Sequence, residues 1–245
     1  MLEKSSGVVP KLILHRTLDS TNAELERLDR KDLPEFTAVV AMSQTAGQGR
    51  LGRSWVSESG SSISVSVLLR PKGSPAQIGW LTLLAAAAVR ATAEHLGATD
   101  AKIKWPNDVL VQGKKISGIL ARLHEGDLVL GVGINLKPQS DAPEHATSLS
   151  EQGAESDFDE VLSVFLTQLR GRYIKFMADP ELSIRHTLQE FRDHSTTLGS
   201  KVRAILPDQS EIVGLAIDID SSGNLLIQGD QLHTISAADI IHLRN

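Results

Sequence analysis

The sequence predicts an α+β fold: a mixed, largely antiparallel sheet with helices, followed by a small β-barrel. Three observations predict it. Ile63, Val65, Val67 and Leu69 alternate with serines, the period-2 signature of a half-buried strand. Phe158, Val161, Leu162, Phe165, Leu166, Leu169, Tyr173 and Phe176 recur at helical spacing and form one apolar stripe. After Gly199 the chain changes to short apolar runs broken by turn residues, the pattern of a small barrel. That change divides the chain into residues 1–197 and a terminal unit of residues 198–245.

In chain order, His15 ends a short strand and a helix starts near Asp19-Ser20-Thr21-Asn22, with Asp19 or Ser20 as N-cap and Leu25 and Leu28 at helical spacing. Two readings of that stretch stay open: a plain helix start, or Ser20, Thr21 and Asn22 also bonding a polar ligand group. Thr37 to Met42 and Ser62 to Leu69 read as strands, and Gln77 to Leu96 as an alanine-rich helix whose His95 caps its end. Lys102 and Lys104 share one face of the next strand, so one of them reaches solvent or a ligand while Ile103 enters the core. Pro106-Asn107 turns the chain. Val109–Val111, Lys115–Leu123 and Leu128–Ile134, joined by Gln112-Gly113-Lys114 and His124-Glu125-Gly126-Asp127, make two consecutive hairpins. Gly118, Gly131 and Gly133 interrupt these strands, which marks close approach of a ligand or another backbone. Pro138 to Gly153 reads as a mobile polar loop, and Glu181 to His194 as a second helix after the Phe158–Phe176 stripe. The terminal strands are expected at Lys201–Leu206, Glu211–Ile219, Leu225–Gln228 and Leu232–Ser236.

Composition narrows the function. A net charge of −5 argues against a general nucleic-acid binder, while leaving room for local cationic sites at Arg50/Arg53 and Lys102/Lys104. The absence of cysteine excludes disulfides, zinc thiolates and thiol nucleophiles, and is compatible with a reducing cytoplasmic location. The N-terminus has no signal-peptide core, and the most apolar run, Trp80 to Val89, is about half of a bilayer crossing, so no membrane partner is expected. The histidines show no metal-ligand spacing, so no protein-bound metal is expected.

The chemistry concentrates in Ser43 to Trp55. Gly47, Gly49 and Gly52 let the backbone approach a ligand, and Arg50 and Arg53 offer planar donor forks for phosphate or carboxylate. Gly47-Gln48-Gly49-Arg50-Leu51-Gly52 satisfies the dinucleotide fingerprint by spelling alone. No helix follows it, and Leu69 to Pro75 holds no carboxylate to bind a ribose. A lysine at a strand end is ordinarily just a solvated charge, so Lys104 gains meaning only from its neighbours.

Taken together, Gly47 to Trp55, Lys104-Trp105-Pro106-Asn107-Asp108, Gly113 to Leu120 and Gly131-Val132-Gly133-Ile134-Asn135 resemble the biotin protein ligase family. The order and spacing of these motifs, with Asp19-Ser20-Thr21-Asn22 and a terminal barrel, cover nearly the whole chain. The resemblance implies a class II synthetase-like, biotin–lipoate ligase fold with an SH3-like C-terminal barrel. It implies a two-step reaction in which biotin and ATP, with Mg²⁺, give biotinyl-5′-adenylate, and the biotin then passes to a lysine of a biotin carboxyl carrier domain of a biotin-dependent carboxylase. By resemblance the catalytic residues are Lys104 and Arg50. Ser20, Thr21, Asn22, Gln44, Gln48, Gly49, Arg50, Lys104 and Gly118 would hold biotin. Arg50, Arg53, Trp55, Lys104, Asn107, Lys115 and Asn135 would hold ATP or the adenylate, with Trp55 over the adenine. One departure is visible: Gln48 stands where the family's loop often has arginine. Only 18 residues precede Asp19, too few for a helix-turn-helix, so no DNA-reading role is expected. The alternatives are a lipoate or octanoate protein ligase or transferase, and a non-catalytic biotin sensor.

Overall fold

The computed structural model describes residues 2–55, 58–154 and 157–243. A short turn of helix, α1 (Glu3–Ser6), leads to β1 (Leu12–His15), α2 (Thr21–Arg27), β2 (Ala38–Ala41) and β3 (Ser62–Leu69). Next come α3 (Pro75–His95), β4 (Ala101–Lys104), β5 (Asp108–Val111), β6 (Lys114–His124) and β7 (Asp127–Asn135). These seven strands form one sheet in the order β1-β2-β3-β7-β6-β5-β4, parallel only between β1 and β2. Two helices follow, α4 (Phe158–Ala178) and α5 (Pro180–His194).

Local signals set the helix boundaries. Ser74 and Gln77 form a reciprocal capping box around Pro75 at the start of α3, which places that start two residues before the expected Gln77. The Asp157 carboxylate accepts the Glu160 amide at the head of α4, and Asp179 accepts the Leu182 amide ahead of Pro180 in α5. His95 is exposed, at the last residue of α3.

Side-chain alternation splits the seven-stranded sheet into two faces. Val65 and Val67 of β3 and Leu130 and Val132 of β7 join α3, α4 and α5 in the main core. The opposite face carries a small cluster of Leu25, Leu33, Val39, Leu68 and Val129 under α2. The expected half-buried strand is therefore buried on both faces: Ser62, Ser64 and Ser66 are as enclosed as the valines beside them. A period-2 pattern reports polarity, and here the polar face is covered by α2 and by the segments that wall a cavity. α3 is the one helix among the described residues long and apolar enough to cross a membrane, and 67% of its apolar window is buried inside the protein.

The C-terminal strands are β8 (Lys201–Ile205), β9 (Glu211–Ile219), β10 (Leu225–Gln228), β11 (Leu232–Ile235) and β12 (Asp239–His242), in the sheet order β11-β10-β9-β8-β12. Only residues 236–238 link β11 to β12, the two edges, and the four Cα–Cα steps from Ile235 to Asp239 span about 14 Å at most. The sheet must therefore curl until its edges approach. The expected barrel is nonetheless not closed, because β11 and β12 share no ladder and their link crosses the gap without forming a hairpin. β12 itself escaped the sequence reading.

Two tryptophans tie this sheet to the first. Trp80 Nε1 donates to the Ser221 carbonyl at 2.8 Å, and Trp105 Nε1 to the Gly223 carbonyl at 3.0 Å.

Candidate functional site

Strand register explains why distant motifs meet. Ser64 pairs with Gly133, Gly133 with Gly118, Gly118 with Asp108, and Asp108 with Lys104. Cross-strand partners share a face, so these five residues form one row across β3, β7, β6, β5 and β4 on the face opposite the main core. At about 4.8 Å per strand the row is about 19 Å long. A parallel row contains Ser66, Gly131 and Leu120. Above the rows lies a cavity of about 670 Å³, walled by α2, the Gly47–Trp55 loop, residues 139–146 and β12.

One end of the cavity is a network of neutral polar groups. Thr21 donates from its backbone and its hydroxyl to Gln44 Oε1, at 2.8 and 3.2 Å. Ser66 Oγ bonds Thr21 Oγ1 at 2.8 Å and donates to Asn22 Oδ1 at 2.5 Å, while Asn22 Nδ2 donates to the Leu120 carbonyl at 3.2 Å. Ser20 is buried at the start of α2, and its hydroxyl makes no capping bond. Gly131 is required beneath this network, because a Cβ there would lie 2.8 Å from Asn22 Cγ.

The middle of the cavity belongs to Trp55. Its indole lies so close to Gly133 that a Cβ there would be 2.7 Å from Nε1, and Trp55 Cζ3 is 3.2 Å from the Cβ position of Gly118. Lys115 Nζ lies 5.8 Å from the ring centroid, within cation–π range. Trp55 Nε1 is buried with no hydrogen-bond partner among the described residues.

The other end is cationic. Lys104 and Arg50 are partly buried, and Lys115 is ion-paired with Asp108 at 2.7 Å. Burial pushes the Lys104 ammonium below its ordinary value; Asp108 opposes this and Lys115 adds to it. Burial likewise depresses Arg50, against Asp239 and Asp108. Arg50 Nη1 approaches Asn107 Oδ1 at 3.4 Å, and Asn107 Nδ2 donates to the Ile119 carbonyl at 2.9 Å. The Trp105–Pro106 peptide is cis.

All of the sequence-derived site residues converge here: Ser20, Thr21, Asn22, Gln44, Gln48, Gly49, Arg50, Arg53, Trp55, Lys104, Asn107, Lys115, Gly118 and Asn135 line the cavity. Two of these side chains are also held by the protein itself. The Arg53 guanidinium bonds the Asp239 carboxylate of β12 through Nη2. Asn135 turns its amide to the chain itself, donating to the Thr147 carbonyl at 2.9 Å and accepting from Gln139 Nε2 at 3.2 Å. The Pro138–Gly153 segment packs along β6, where the Lys115 amide donates to the His145 carbonyl at 2.8 Å.

Sequence reasoning missed Asp239, His242, Ser64 and Ser66. The Asp239-Ile240-Ile241 run was the available signal for β12. Burial, reinforced by the positive charge of Lys104, holds the His242 imidazole below its usual range. Among the described residues no group of three or more His, Asp or Glu is arranged to hold a metal ion.

Residues 14–138 match the model of the biotin/lipoate A/B protein ligase family, and residues 197–243 match that of the biotin protein ligase C-terminal domain. The chain is 39% identical to the biotin–[acetyl-CoA-carboxylase] ligase of Mycobacterium tuberculosis, over 92% of this chain and 86% of that protein. It is 34% identical to the bifunctional ligase/repressor BirA of Bacillus subtilis, over 94% of this chain and 73% of that protein. Among solved structures, the biotin protein ligase of Aquifex aeolicus in complex with biotin and ATP superposes with a TM-score of 0.81 at 30% identity, covering 96% of this chain and all of that one.

Proposed function

The chain belongs to the biotin/lipoate A/B protein ligase family, and from that premise we propose that it is an ATP-dependent, AMP-forming biotin protein ligase acting on a biotin carboxyl carrier domain of a biotin-dependent carboxylase. The observation that carries the reading is the polarity of the cavity: neutral hydrogen-bonding groups at Thr21, Asn22 and Gln44, and cations at Lys104, Arg50 and Lys115. An elongated substrate with a neutral polar head and a terminal carboxylate fits that gradient.

In the first step a carboxylate oxygen of biotin attacks the α-phosphorus of ATP, a P–O bond forms, and the bond to pyrophosphate breaks. Both reactants are anions, so fixed cations must stand where they meet. Lys104 is the cation between carboxylate and phosphate, and Arg50 closes over the product. ATP enters as its Mg²⁺ complex. Ser20, Thr21, Asn22 and Gln44 bond the biotin head, Gln48 and Gly49 wall it, and Gly118 leaves it room. The Trp55 ring covers the nucleotide end. Asn107 orients Arg50 toward the phosphate, Lys115 adds charge, and Arg53 and Asn135 act through the segments they hold. In the second step the acceptor lysine's neutral amine attacks the acyl carbon, AMP departs, and the amine loses its proton.

Residues 1–197 form the catalytic unit in this reading, and residues 198–245 contribute Asp239 to the cavity wall. The proposal places the reaction in the cytoplasm and includes neither DNA nor membrane. The test is exchange of labelled pyrophosphate into ATP in the presence of Mg²⁺ and the absence of acceptor. Exchange that depends on biotin supports the reading. Exchange with lipoate or octanoate alone moves the chain to the other branch of its family, and absence with all three overturns catalysis.

A further inference from the structure

The structure assigns Arg122 as a positioning residue that latches the Gly47–Trp55 loop over the cavity, an inference that rests on the reactive intermediate proposed above. Arg122 stands on β6 in the same alternating set as Gly118 and Leu120, so it occupies the cavity face just beyond the lining residues. Its Nη2 donates to Gln48 Oε1. Its Nη1 lies 3.7 Å from Glu26 Oε1 on α2, the helix that begins with Thr21 and Asn22.

The loop transmits this hold. Gln48 bridges Ser54, the Gly49 amide donates to the Arg53 carbonyl at 2.7 Å, and the Trp55 amide donates to the Gly47 carbonyl at 2.9 Å. Fixing Gln48 therefore fixes the arm that carries Trp55. Arg53 bonding Asp239 anchors the loop from the opposite side. Between these anchors Leu51 is exposed with a positive φ of 54°, and Arg50 enters the cavity.

The same contact accounts for Gln48. A neutral carbonyl acceptor faces a guanidinium whose remaining contact is Glu26. An arginine at position 48 would set two guanidiniums against each other, whereas it would suit a carboxylate at position 122. The two positions thus read as a matched pair.

The test forms the adenylate on the enzyme from biotin and ATP, removes excess substrate, and follows its release without acceptor. Arg122→Ala is expected to speed release about 3- to 10-fold, the range of a solvent-accessible charge-assisted hydrogen bond, with pyrophosphate exchange changed less than about twofold. Gln48→Arg is expected to accelerate release as well, and the double variant Gln48→Arg/Arg122→Glu to restore retention, a coupling that a purely local defect would not show. Hydrogen exchange on the ligand-free protein gives a readout independent of chemistry, with faster exchange at the Gly49 and Trp55 amides in Arg122→Ala. Unchanged release together with unchanged loop exchange would overturn the latch. If the parent forms no adenylate, the proposed function fails, and loop exchange still decides the role of Arg122.

Discussion

Trp105 Nε1 donates its hydrogen bond to the Gly223 carbonyl, so the residue that follows Lys104 in the chain is held by the turn between β9 and β10. The Trp105 amide is held as well, donating to Thr197 Oγ1 at 3.0 Å. The C-terminal sheet thereby braces the strand end that carries the central cation. Trp105→Phe keeps most of the ring but leaves the Gly223 carbonyl unpaired. The expected loss is about 0.5–1.5 kcal/mol, a fall in Tm of a few degrees at this chain length, measured by calorimetry, with a parallel drop in pyrophosphate exchange.

Lys104→Ala removes the cation placed between two anions. Loss of one preorganised electrostatic group typically costs about 10²- to 10³-fold in rate, and pyrophosphate exchange is expected to fall in that range while Tm holds or rises, since a buried charge is relieved. Wild-type exchange in this variant would remove Lys104 from the mechanism.

The depressed Lys104 value has a pH consequence. Its ammonium loses its proton below the ordinary lysine value of 10.5, so the alkaline limb of the exchange rate is expected below that pH. Between the folded and unfolded values the unfolded chain binds more protons, and stability therefore rises with pH through the window where activity falls. Lys104→Arg should abolish that limb in a rate–pH profile, because guanidinium stays charged throughout.

Gly131 and Gly133 are predicted to resist even alanine. A Cβ at Gly131 collides with Asn22, and one at Gly133 with the Trp55 ring. Overpacking of this kind costs about 1–3 kcal/mol. Gly131→Ala, which displaces the neutral network, is expected to weaken biotin binding about 10-fold or more by calorimetry, whereas Gly133→Ala should act chiefly on ATP.

His242 gives an acid prediction. Its depressed value means that the unfolded chain takes up a proton near pH 6.5 while the folded chain resists until lower pH. This group therefore costs stability as pH falls from 6.5 through the folded value. His242→Gln is expected to flatten denaturation midpoints across that interval, and an unchanged slope would place the acid sensitivity elsewhere.

Much of this molecule is written locally. Alternation at Ile63–Leu69, the stripe from Phe158 to Phe176, the turns at Gln112-Gly113 and Glu125-Gly126, and the motif around Lys104 each depend on neighbours a few residues away, and each was legible. The glycines were legible as sites of close approach, though the approaching groups, Asn22 and Trp55, were not. The serine face of β3 misled because a strand pattern does not say what covers its polar side. β12 was missed because four residues after Ala237-Ala238 form a strand only when β8 offers a partner.

By itself the sequence determined the α+β class, the family resemblance and the fourteen site residues that converge on the cavity. The tertiary structure decided what those residues do to one another. Sheet register set Lys104, Asp108, Gly118, Gly133 and Ser64 in one row. Docking of the C-terminal sheet brought Asp239 to Arg53, 186 positions apart. Pairing of β6 with its neighbours carried Arg122 to Gln48, 74 positions apart. Such contacts are absent from any local pattern, since the energy that selects them comes from burying the shared core, and the polar partners meet only once that core has fixed their distance.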